Sequence, residues 1–120
     1  MTNPEVLGSC LNIAGFALVG KPTRVHLVQT LKNVVGLVGM DTMGIEPTVW
    51  VYPLPTGQGG VGETILQPLV ESFIVSDSWL EMNKVYIVLA SCKPFNLEVV
   101  AKYLESQIGP LLSQGYFTLR

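Results

Sequence analysis

Histidine and cysteine are scarce in this chain: His26 stands alone, and Cys10 and Cys92 are its two thiols. One histidine cannot supply a histidine-rich metal centre, and two cysteines are too few for paired zinc ligands or a disulfide scaffold. A Ser-His-Asp triad would have to recruit His26, and no Gly-x-Ser-x-Gly turn exists to carry its nucleophile. Charge is scarce as well, at 13% of residues with a net charge of −2. Arg24, Lys32, Lys84 and Lys102 are scattered rather than clustered, so no nucleic-acid partner is expected. Long apolar runs are missing too. The segments from Ile13 to Val19 and from Val34 to Met40 contain glycines and fall short of the roughly 20 residues of a membrane span. The start, Met1-Thr2-Asn3-Pro4-Glu5, has no positive stretch of the secretory kind, and a cytoplasmic protein is expected.

Apolar side chains, by contrast, are plentiful, at 48% of 120 residues. That length suits one domain, 1–120, with one core, and so apolar a composition predicts that part of the surface is covered by another subunit, giving a homo-oligomer. Taken in order, Ser9 to Val19 reads as a buried first strand closed by Gly20-Lys21-Pro22. Thr23 then caps a helix in which Leu27, Val28, Leu31, Val34, Val35 and Val38 recur at helical spacing, ending between Gly36 and Gly39. His26, near its start and without a second ligand beside it, reads as a partly exposed helix residue.

Pro47 to Tyr52 alternates and is rich in β-formers, so a strand is expected there. The glycine-rich stretch from Pro53 to Gly62 lacks the Lys-Ser/Thr of a phosphate cradle and reads as a loop or lid. Glu63–Val70 and Ser72–Val75 form an expected strand pair, with Pro68 at an edge or bulge because it cannot donate to a ladder. Lys84 to Ala90 is a strand delivering Ser91 and Cys92 at its end, Asn96 caps a second helix stopped by Gly109-Pro110, and Tyr116 to Leu119 is a last strand. The order β-α-β-β-β-β-α-β predicts an α+β fold: a two-layer sandwich with a largely antiparallel sheet and both helices on one face.

Chemistry concentrates in Val70-Glu71-Ser72-Phe73, then Asp77-Ser78-Trp79-Leu80-Glu81, then Ser91-Cys92 after a strand. This arrangement resembles the small prokaryotic S-adenosylmethionine decarboxylases, whose pattern runs roughly Ser-Glu-Ser-His-x-x-x-His-Thr-Trp-Pro-Glu-Tyr, a strand, then Thr-Cys-Gly. Trp79 and Cys92 follow Ser72 at the family's spacing without a gap. Gly8, and Gly62 before Glu63-Thr64, are the other points of alignment.

The resemblance implies that the Glu71–Ser72 bond cleaves itself, turning Ser72 into a pyruvoyl cofactor that acts as electron sink for decarboxylating S-adenosylmethionine or a related amino acid in polyamine synthesis. It assigns proton donation to Cys92, stacking on the adenine to Trp79 with Trp50 or Tyr52 opposite, and the ribose hydroxyls to Glu81. Thr64 falls where the family keeps a processing serine. The homo-oligomer expected from the composition is taken to be a homodimer. Phe73 and Asp77 stand where the family has histidines, and Asp77 takes the place of the processing base. Alternatives are an unprocessed homologue that binds or cleaves S-adenosylmethionine through Glu71, Asp77 or Glu81 without a pyruvoyl group, and a non-catalytic sensor or partner subunit.

Overall fold

A computed structural model describes residues 10–53 and 60–120 of the chain. Strand β1, Leu11–Val19, alternates so that Asn12, Ala14, Phe16 and Leu18 are buried while their neighbours are half-covered. Period-two burial of this kind places every second side chain on one face. Helix α1, Arg24–Leu37, begins where the Thr23 hydroxyl accepts the His26 N–H, and it buries Leu27, Thr30, Leu31, Val34 and Val35. It stops in a Schellman turn, with Gly39 at φ +70° donating to Gly36 and Met40 donating to Val35. A side chain at position 39 would strain that left-handed backbone.

Strands β2 (Thr48–Pro53), β3 (Val61–Pro68), β4 (Ser72–Trp79) and β5 (Lys84–Ser91) follow, with a 3-10 turn at Leu80–Met82 between the last two. Helix α2, Leu97–Gln107, is capped by the Asn96 side chain accepting the Val99 N–H, and β6, Leu111–Leu119, ends the sheet. The six strands lie in the order β2-β3-β4-β5-β1-β6, and every neighbouring pair is antiparallel.

The observed fold is the expected α+β arrangement, a six-stranded antiparallel sheet with two helices. Its core joins Phe16, Leu18, Ile74, Ile87 and Leu89 of the sheet to Leu27, Leu31 and Val34 of α1 and Val100 and Leu104 of α2. Each such side chain contributes about 1.5–3 kcal/mol on full burial, so helix-to-sheet packing dominates the stability. The opposite, open face carries Ile13, Ala17, Val75 and Val88, which stay half-covered, together with exposed Phe117 and Leu119.

Two expectations need correction. The last strand is nine residues long and not four, because the β1 register extends through Gly15↔Gly115 to Leu18↔Leu111 and recruits the polar stretch before Tyr116. Pro68 lies on an interior strand, not at a sheet edge; it is tolerated because β2 pairing stops at Thr48↔Leu66, leaving the Pro68 nitrogen no partner to miss on that side. Both cysteines are free thiols. Among the described residues no helix is long and apolar enough to cross a membrane. Most of the glycine-rich loop, residues 54–59, and Gly8 lie outside the described residues.

Candidate functional site

The β3–β4 hairpin turns through Val70 and Glu71, closed by the Leu69 N–H donating to the Ser72 carbonyl at 2.9 Å. The loop after α1 clamps this turn twice: the Val70 N–H donates to the Asp41 carbonyl at 2.9 Å, and the Asp41 N–H donates to the Glu71 carboxylate at 3.2 Å. Ser72 therefore opens β4 directly opposite Ser91, the last residue of β5. One residue on, the Cys92 N–H donates to the carbonyl oxygen of Glu71 at 3.0 Å. That oxygen belongs to the bond between Glu71 and Ser72. A donor on it draws electrons from the carbonyl carbon and prepares it for attack.

Cys92 is held by its neighbours. The Ser91 hydroxyl donates to the Lys93 carbonyl at 2.8 Å and accepts the Lys93 N–H at 2.9 Å, closing a tight turn over Cys92. Continuing across the sheet, Ser72, Ser91, Asn12 and Thr118 form a polar row on four adjacent strands, on the helix-covered face. Asn12 and Ser91 are buried in it. The sequence points to Ser91 only as the residue before Cys92, and it gives Asn12, Tyr116 and Thr118 no part in a site. The signal for Asn12 was available: an asparagine on the inward parity of an apolar strand must find hydrogen-bond partners there.

A second polar cluster stands at the far end of β4, on the open face. The Tyr52 hydroxyl donates to Asp77 Oδ1 at 2.7 Å, the Thr64 hydroxyl donates to the same oxygen at 2.9 Å, and the two hydroxyls are 3.0 Å apart. Tyr52 starts on β2, two strands from Asp77, and bridges the gap because Gly62 lies between them. A Cβ at Gly62 would sit 2.5 Å from the Tyr52 ring. Burial pushes the Tyr52 hydroxyl above its ordinary pKa; the Thr64 hydrogen bond opposes that rise and the Asp77 charge adds to it. The phenol therefore stays protonated and serves as a donor at neutral pH.

Trp79 occupies the next row, paired with Gly62, and meets Tyr86 edge-on with ring centroids 5.3 Å apart. Trp50 sits opposite Thr64 and is about half exposed. The exposed Glu81 accepts the Val61 N–H at 3.3 Å.

The residues singled out from the sequence thus fall into two groups. Glu71, Ser72 and Cys92 meet at one end of β4; Tyr52, Thr64, Asp77, Trp79, Glu81 and Trp50 gather at or near the other. Asp77 lies five positions after Ser72, or about 17 Å along the strand, and their parities differ, so the Asp77 carboxylate does not reach Ser72 within one chain. Trp50, Tyr52 and Trp79 all project from the open face, and a planar ring gripped from both sides requires a second surface opposite them. The open face also holds a hollow of about 390 Å³ around Gly15, Tyr86, Val88, Ser113 and Gly115, on the strands beyond β4. Among the described residues no group of three or more His, Cys, Asp or Glu side chains is placed to hold a metal ion.

No protein-family model and no curated protein matches the chain. Among solved structures it is similar to the crystal structure of the adenosylmethionine decarboxylase from Aquifex aeolicus VF5, with a TM-score of 0.60, 19% sequence identity, and coverage of 91% of this chain and 87% of that one. At that identity the likeness concerns the fold: this chain has the architecture of an adenosylmethionine decarboxylase.

Proposed function

We propose that the chain is a self-processing decarboxylase that acts on S-adenosylmethionine or a related amino acid in polyamine synthesis. The observation that carries the reading is the Cys92 N–H on the Glu71 carbonyl, with the Ser72 hydroxyl on the next residue. The residues present fit processing there. The Ser72 hydroxyl adds to the Glu71 carbonyl carbon, its proton passes to the Ser72 nitrogen, and the peptide becomes an ester. Elimination frees the Glu71 carboxylate, and water then releases ammonia to leave a pyruvoyl group at position 72. Once formed, that group supplies the electron sink for loss of carbon dioxide. Cys92, whose N–H bonds the Glu71 carbonyl, is the proton donor in this reading, while Trp79 and Glu81 offer a stacking surface and an acceptor for ribose hydroxyls.

The wide spacing of the two groups favours a homodimer. A two-fold partner packed on the apolar open face would place a second aromatic surface over Trp79; because the Ser72 side chain lies on the helix-covered face, the partner's Asp77 would reach the Glu71–Ser72 peptide around the end of β4. The dimer then completes two sites at once.

A second reading has a specific observation in its favour. Asp77 stands where the resembled family has its processing histidine, and its Oδ1 already accepts two hydroxyl hydrogen bonds. Both bonds occupy the oxygen that would have to take a proton, and they tie Asp77 to Tyr52 and Thr64 of its own chain. An unprocessed homologue that binds or cleaves the same ligand follows if Asp77 is held there as a structural acceptor. Intact mass of the purified full chain after prolonged incubation separates the two. Processing gives fragments ending at Glu71 and beginning at residue 72, whereas a single full-length species removes the pyruvoyl reading. For the pocket itself, S-adenosylmethionine raises the melting temperature and Trp79→Ala cancels the rise; no shift at millimolar ligand rejects binding at this surface.

A further inference from the structure

Ser91 and Cys92 share one peptide unit, and both of its polar atoms are engaged. Its N–H donates to the Glu71 carbonyl at 3.0 Å, and its carbonyl oxygen accepts from Asn12 Nδ2 at 3.2 Å. A carbonyl oxygen can only accept, so the Asn12 amide must turn its NH₂ toward Ser91. The other end of that amide, Oδ1, accepts the Tyr116 hydroxyl at 3.1 Å and the Thr118 hydroxyl at 3.0 Å. A continuous series of donors therefore runs from β6 through Asn12 on β1 and the end of β5 to the start of β4. It terminates on the carbonyl beside Ser72. Hydrogen bonds in series polarise one another, so an amide loaded at its oxygen donates more strongly through its N–H.

Nothing in the packing of the core demands this. A valine or leucine at position 12 would continue the inward row of Ala14, Phe16 and Leu18, and an inward asparagine must be fully hydrogen-bonded to avoid a desolvation penalty. We propose that Asn12 is a positioning residue for the Glu71–Ser72 bond. It fixes and polarises the Ser91–Cys92 peptide so that the Cys92 N–H is aimed at the Glu71 carbonyl oxygen and takes up the charge that develops there. This role rests on the self-processing reading for its consequence, although the hydrogen-bond relay itself can be measured separately. In the step concerned, the Ser72 Oγ–carbon bond forms, the carbonyl electron pair moves onto the oxygen facing Cys92, and the carbon–nitrogen bond then breaks as the hydroxyl proton passes to nitrogen. No further reactant is needed.

The test uses the full chain with two readouts. Asn12→Asp keeps an acceptor for Tyr116 and Thr118 but replaces the donor facing the Ser91 carbonyl with an oxygen. Cleavage, followed by intact mass, should slow about tenfold, less than the roughly 10²–10³ lost when an oxyanion donor is removed outright. The second readout uses a Ser72→Ala background, which keeps the chain whole, with the Cys92 amide proton and Glu71 carbonyl carbon observed by NMR. Asn12→Asp should move the Cys92 amide proton upfield and the Glu71 carbonyl resonance with it. Tyr116→Phe and Thr118→Val, at the edge strand, should produce smaller shifts in the same direction, and they carry the test if the Asn12 variant does not fold. Unchanged resonances at both sites overturn the proposal. Shifted resonances with unaltered cleavage kinetics overturn its catalytic consequence. If the unmodified chain never cleaves, the processing reading falls, and the resonances alone decide whether Asn12 polarises this carbonyl.

Discussion

The two ends of β4 carry polar groups of opposite construction. At the Ser72 end the contacts are made by backbone: the Cys92 N–H on Glu71, the Leu69 N–H on Ser72, and the Val70 N–H on Asp41. At the Asp77 end they are made by side chains, with two hydroxyls converging on one carboxylate oxygen over a glycine. Backbone donors are fixed by the strand register and tolerate substitution of their own side chains, whereas a side-chain cluster fails when any member is lost. The first end is therefore suited to holding a reactive bond in place, with side chains such as Asn12 acting on that bond through the backbone. The second is where sequence divergence can retune or cancel the chemistry.

Substitutions that strike one end and spare the other sharpen this contrast. The largest effect is expected from Ser72→Ala, which removes the attacking hydroxyl and abolishes fragment formation by intact mass while leaving the melting temperature close to that of the parent chain. Next comes Gly62→Ala. Its Cβ collides with the Tyr52 ring, and the displaced ring should cost about 1–3 kcal/mol in chemical denaturation, with the Ser72 end untouched.

Tyr52→Phe removes one donor from Asp77 and should cost about 1 kcal/mol. Its pH dependence is more diagnostic. The folded-state pKa of Tyr52 is raised, so its contribution to stability is complete below the unfolded value near 10 and is lost as pH rises through the folded value. Denaturation measured from pH 8 to 11 should show a steeper fall in the parent chain than in Tyr52→Phe. Parallel curves would mean that the hydroxyl is not held as described.

The smallest effect belongs to the middle of the strand. Ser76 is fully buried, and its hydroxyl meets no hydrogen-bond partner among the described residues. Ser76→Ala should leave stability within about 0.5 kcal/mol of the parent or raise it, because no hydrogen bond is lost. It serves as the neutral control between the two ends.

The construction of each end also explains what could be read from the sequence. Periodicity and caps carry the elements: Thr23 and Asn96 each cap the helix expected of them, and the alternation of Leu11 to Val19 marks its inward face. The first half of β6 was illegible because Leu-Leu-Ser-Gln-Gly has no apolar alternation; pairing with β1 makes it a strand. At the candidate site, side-chain types such as Ser72, Cys92 and Asp77 are visible as letters. Their grouping is not, since it depends on the strand order and on a one-residue offset between Ser91 and Cys92. The sequence offers Tyr52 as a stacking ring; its hydroxyl reaches Asp77 because Gly62 leaves room for the ring, which the strand pairing alone discloses.

If the two ends complete each other across a dimer, two crippled chains should repair one another. The decisive measurement is the intact mass of chains co-expressed from a Ser72→Ala variant and an Asp77→Ala variant, each inert to cleavage alone. A composite site predicts fragments from the Asp77→Ala chain, whose intact Ser72 meets the partner's Asp77, and none from the Ser72→Ala chain. An uncleaved mixture, alongside a parent chain that does cleave, would contradict the account.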